Sequence, residues 1–155
     1  MSNVTNRLDL IDSVNSESIV NITDATYTVT GAQSGSTFML NRAGGIVITM
    51  PDGGGGDIIG ATYTFKILTT FSGTCTIGGA TTDNLLRGGV TICSTTAGAC
   101  DVFSPNGSDD HQLSMTAEAE GWLEGGVIVL TCIAADLWLL TGVLGGVGTV
   151  STPFT

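Results

Sequence analysis

Positive charge is almost missing from this chain. It has four Lys and Arg residues against fourteen Asp and Glu, and Lys66 is its only lysine. The net charge of −10 repels phosphate backbones and anionic lipid surfaces, so neither nucleic acid nor membrane is an expected partner. Charged residues of both signs make up only 12%, which leaves few of the Glu, Lys and Arg side chains that normally coat long helices. No basic segment leads into an apolar core at the N-terminus, so no signal peptide is expected. The most apolar region, residues 125–144, is broken by Thr131, Asp136 and several glycines, and it does not read as a transmembrane helix.

Residues that do chemistry are equally scarce. His111 is the single histidine and sits beside Asp109 and Asp110. A metal needs three or four convergent ligands and a general base needs a positioned nucleophile, and the sequence supplies neither here. The run is expected to be a solvated loop. Cys75, Cys93, Cys100 and Cys132 form no CxxC pair, which argues against zinc. Cys93 and Cys100 flank residues 94–99, a spacing that permits a bridge across a hairpin. For a cytosolic product the expectation is nevertheless four free thiols acting as small buried hydrophobes. The glycine run 53–56 lacks the lysine of a phosphate-binding loop, is flanked by Asp52 and Asp57, and reads as a flexible connection. In Gly31-Ala32-Gln33-Ser34-Gly35 the serine stands one place too late for a nucleophile elbow. Glu118 and Glu120 read as ordinary exposed charges, and the sequons at Asn3, Asn21 and Asn106 as chance. No catalytic, metal or cofactor-binding residue is expected, and the chain is not expected to be an enzyme.

What the chain does contain is glycine and threonine, 23 and 24 residues respectively. Thr favours the pleated strand through its branched Cβ, and Gly serves the tight turns between strands. From Thr26 the apolar period is two. Tyr27 and Val29 share one face of a strand over 26–30, and further strands follow at 37–40 and 46–50. The clearest covers 61–69, with Tyr63, Phe65 and Ile67 inward and Thr62, Thr64 and Lys66 outward. Shorter strands are expected at 74–77, 90–93, 99–103 and 113–117, then two more at 127–133 and 137–141. Trp138 falls on the same face as Leu140 and is assigned to a core or subunit interface, while an exposed Trp would instead suit a sugar ring. Frequent turns between short strands predict an all-β fold, an antiparallel β-sandwich or β-barrel, as a single domain over 25–155.

Residues 1–24 differ. They hold no glycine, and Leu8, Leu10, Ile11 and Val14 fit helical spacing and strand alternation equally. They read as an N-terminal arm. Leu8, Leu10, Ile11 and Val14 are too many apolar groups for a purely solvated tail, and with Arg7 they are the candidate partner-binding residues.

The series Tyr27-Thr28-Val29-Thr30, Ser34-Gly35-Ser36-Thr37-Phe38-Met39-Leu40, Gly45-Ile46-Val47-Ile48-Thr49-Met50-Pro51 and Gly60-Ala61-Thr62-Tyr63-Thr64-Phe65-Lys66-Ile67 carries a resemblance. So do Gly121-Trp122, Val127-Ile128-Val129-Leu130, Trp138-Leu139-Leu140-Thr141-Gly142 and Pro153-Phe154. This series resembles small β-structured virion proteins of tailed phages, including capsid decoration (cement) proteins and fibre domains. In those proteins a turn like Ser-Gly-Lys-Thr-Phe leads to a strand ending in Leu-Pro; here Ser36 and Met50 replace the Lys and Leu. The resemblance covers about residues 26–154. It implies a β-domain, commonly a homotrimer, with no cofactor, the major capsid protein as partner and a place on the outer capsid surface. The arm residues Arg7, Leu8, Leu10, Ile11 and Val14 would then bind the shell. A glycan-binding fibre domain and an adhesin or pilus-like subunit are the other expectations.

Overall fold

The structure is a computed structural model that describes residues 18–79 and 81–155. Among these residues eleven strands form two sheets. The larger has the order β1 (Ile19–Ile22), β3 (Thr37–Leu40), β5 (Thr62–Ile67), β10 (Val127–Ala134), β11 (Leu137–Gly146), β7 (Leu85–Ser94), β8 (Cys100–Phe103). The smaller has the order β2 (Thr26–Thr28), β4 (Val47–Thr49), β6 (Cys75–Gly78), β9 (Gln112–Met115). Two 3-10 turns, Gly31–Gln33 and Glu118–Glu120, are the only helical pieces among the described residues. All ten strands read from the period-two pattern are present, and the fold is all-β.

The first six strands alternate between the sheets. β1, β3 and β5 pair in parallel in the large sheet, while β2, β4 and β6 pair in parallel in the small one. The N-terminal half is therefore three stacked coils of a flattened solenoid, each contributing one strand to either sheet. With β7 and β11 also parallel, five of the nine pairings are parallel, so the expectation of an antiparallel fold is corrected to mixed sheets. The physical reason lies in the corners. Residues 23–25 turn the chain from one sheet into the other, so β1 cannot fold back on β2 and instead pairs with its counterpart one coil later. The later strands close the stack by antiparallel pairing, β10 on β5 and β9 on β6, and the hairpins β10–β11 and β7–β8 complete the large sheet.

Stacked coils bring like residues into register. Phe38 lies opposite Phe65 with ring centroids 5.1 Å apart at 22°, and Leu40 lies opposite Ile67. On the facing sheet Tyr27, Ile48, Ile77 and Leu113 form one row. Tyr63, Phe65 and Ile67 are buried, as the alternation predicts. Corners of successive coils also approach closely. A Cβ on Gly45, whose φ is +85°, would overlap the Thr74 carbonyl oxygen, so this corner requires glycine.

Two expectations change at the termini of elements. Ile19–Ile22, assigned to the arm, is strand β1, and Ile22 is buried in the core. The β-domain therefore begins before residue 24. Cys93 and Cys100, expected as free thiols, form a disulfide across the β7–β8 hairpin. They are direct partners in the antiparallel register, which places both side chains on one face. Cys75 and Cys132 are free and buried, as expected.

Candidate functional site

The most unusual surface is the outer face of the seven-stranded sheet. One register row crosses all seven strands: Asn21, Met39, Lys66, Val127, Val143, Thr91 and Val102. A second runs Thr64, Val129, Thr141 and Gly89, and a third Thr62, Thr131, Leu139 and Arg87. The Thr62 and Thr131 hydroxyls hydrogen-bond at 3.0 Å. Val143 is 60% exposed and Val102 72% exposed, where a sheet of this width would ordinarily be covered. Val127, Val129, Thr141, Gly142 and Val143 line a shallow, mostly apolar hollow of about 460 Å³.

Among the described residues, the strands place no carboxylate on this face. Asp101 is the only acidic residue in the strands of this sheet, and it pairs with the inward-facing Ile92, placing it on the opposite face. Lys66 and Arg87, two of the four basic residues, lie on the outer face. The Arg87 guanidinium reaches back to the Leu86 carbonyl at 3.1 Å.

A second cluster fixes the glycine-rich connection. Asn84 is fully buried, and its amide oxygen accepts from the Gly53 N–H at 3.0 Å and the Trp138 indole N–H at 3.3 Å. Its amide nitrogen donates to Thr81 Oγ1 at 2.7 Å and Asp52 Oδ1 at 3.2 Å. The backbone N–H of Gly54 and then the Asn84 amide hold the Asp52 carboxyl below its ordinary value. Residues 52–57, read from sequence as a flexible connection, are thus pinned at Gly53 and open a run of turns in which Gly56 and Ile59 donate to the Gly53 and Gly56 carbonyls. Asn84 carries no sequence signal. It sits in a polar run, Thr81-Thr82-Asp83-Asn84, that reads as an exposed turn.

The other singled-out residues are accounted for structurally. His111 Nδ1 lies 3.0 Å from the Asp109 carbonyl in a loop organised by Asn106, whose Oδ1 accepts from the Ser108 and Asp109 amides. Trp138 is buried against Tyr63, with Leu140 beside it in the core. Trp122 packs partly buried on the core, and its indole N–H has no hydrogen-bond partner among the described residues. Glu120 caps the turn before it, accepting from the Thr116 and Ala117 amides. Burial pushes the Cys75 thiol up to about 12 and also raises Cys132 and Tyr63, so none of these is a poised nucleophile.

Among the described residues no three His, Cys, Asp or Glu side chains converge as a metal site, and no helix is long and apolar enough to cross a membrane. Arg7, Leu8, Leu10, Ile11 and Val14 lie outside the described residues. The chain leads from them into β1, the edge strand of the large sheet. Comparison with known protein families, curated proteins and solved structures finds no match.

Proposed function

We propose that this chain is a structural virion protein that decorates the outer surface of a tailed-phage capsid as a homotrimer, with the major capsid protein as its partner. The observation that carries the reading is the architecture taken with its charge. A β-body of stacked coils presents a seven-stranded face carrying Lys66 and Arg87, and residues 1–17 precede β1, an edge strand of that sheet. Such a body suits a rigid surface module better than a catalyst. Its net charge of −10 per copy would be repelled by packed DNA inside a head and would favour solubility outside it.

Arg7, Leu8, Leu10, Ile11 and Val14 are the proposed shell contacts. Three such segments on one trimer engage together, so weak individual contacts sum to firm attachment. A glycan-binding fibre tip gains less support, because Trp138 and Tyr63 are buried in the core rather than offered as a stacking platform.

Antibody labelling of intact virions that carry this chain tests the reading by electron microscopy. Label distributed over the head is expected. Label confined to the tail tip, or appearing only after the head is opened, would overturn it.

A further inference from the structure

We infer that the outer face of the seven-stranded sheet is the surface through which one copy of this chain docks onto the next. The inference rests on the homo-oligomer in the proposed function and assigns that contact to a face.

Three observations carry it. Val129, Val143 and Leu139 leave apolar surface in water on β10 and β11, two adjacent strands in the interior of the sheet, not on a frayed edge. With seven strands about 4.8 Å apart and a few residues of each taking part, the face offers on the order of 700 Å². Interfaces of standard size bury about 800 Å² per partner, which is of the same order.

Charge then selects the occupant. Lys66 and Arg87 lie on a face to which the described strands add no carboxylate; taking these two positive charges from the net −10 leaves −12 on the remainder of the chain. Two copies meeting through their other surfaces bring like charge together. A copy that lays this face against the acidic remainder of its neighbour brings opposite charge together around an apolar centre. That contact is head-to-tail, and a head-to-tail contact is complete only when it closes into a ring.

The test uses full-length protein in light scattering coupled to size exclusion, at assembly concentrations. The wild type is expected at about 47 kDa, three copies of the 15.7 kDa chain. Val143→Asp should raise the dissociation constant by on the order of 100-fold or more, because it buries an unpaired charge. If Val143→Asp does not fold by circular dichroism, Lys66→Glu at an exposed position replaces it and should also weaken association.

A monomeric wild type, or an oligomer indifferent to the folded face variants, would each overturn the assignment. Head decoration fails separately, when an intact oligomer leaves virion heads unlabelled.

Discussion

The indole of Trp138 on β11 donates to the side-chain oxygen of Asn84 at 3.3 Å, across a sequence separation of 54 residues, and the same oxygen accepts the Gly53 amide. One buried amide thus ties the glycine-rich connection, the lead into β7 and the core tryptophan to one another. Asn84→Ala would strand buried donors on both sides and is expected to cost about 3 kcal/mol of stability. Urea unfolding followed by tryptophan emission measures it. A loss under about 0.5 kcal/mol, the scale of an ordinary surface substitution, would mean that the network contributes little.

The Cys93–Cys100 bridge closes a hairpin loop, and restraining so short a loop in the unfolded chain is worth about 2 kcal/mol. Thiol labelling under denaturing, non-reducing conditions should modify Cys75 and Cys132 and spare the pair. The double variant Cys93→Ser/Cys100→Ser should be less stable by that amount. Labelling of all four cysteines would show the bridge to be absent.

Stability should fall in alkali. Burial raises the Cys75 thiol from 9.0 to about 12, so between these values the unfolded chain loses a proton that the folded chain keeps. The stabilisation is complete below pH 9 and is lost progressively as pH rises toward 12. Cys132 and Tyr63 shift in the same direction and add to the loss. Cys75→Ala should lower stability at neutral pH but flatten the alkaline decline. An unchanged decline would remove Cys75 as its cause. Asp52 acts with the opposite sign, favouring the fold above its ordinary 3.8 and ceasing to do so as pH falls below it.

Truncation separates anchor from body. Removing residues 1–17 should leave a folded β-domain that no longer decorates heads. Removing 1–22 deletes β1 and the buried Ile22 as well, and should lower the stability of the domain by roughly 2–4 kcal/mol. Comparing the two by chemical unfolding and by co-sedimentation with heads distinguishes the roles. Unimpaired binding of the shorter truncation would place the shell contact on the β-body.

Gly45 tests the coil stack itself. Its φ of +85° and the overlap any Cβ would make with the Thr74 carbonyl predict that Gly45→Ala destabilises by about 2 kcal/mol or more. By contrast Gly35, at φ +85° with no neighbour near its would-be Cβ, should lose only about 1 kcal/mol on the same change. Equal effects at both would argue against close corner packing.

Much of the fold was legible in the residues alone. Alternation over Thr62–Ile67 assigns each side chain to a face, and the structure buries Tyr63, Phe65 and Ile67 while leaving Lys66 in water. Ten strand positions follow from such local patterns, because a strand's periodicity reflects only its own two environments. Partner choice does not follow from them. A period of two is the same in parallel and antiparallel ladders, so whether β1 meets β2 or β3 was decided by corners that send consecutive strands to opposite sheets. The outer face was beyond local reading for the same reason: Lys66, Val127, Val143 and Arg87 stand far apart in sequence and share a surface only through register. Asn84 shows the converse, a polar residue whose burial no local rule predicts, since three of its four partners, Asp52, Gly53 and Trp138, are brought to it by the tertiary structure. The sequence by itself determined composition, charge and strand faces, which are properties of single segments. The tertiary structure alone decided strand direction and the make-up of the outer face, because each depends on which distant segments are brought side by side.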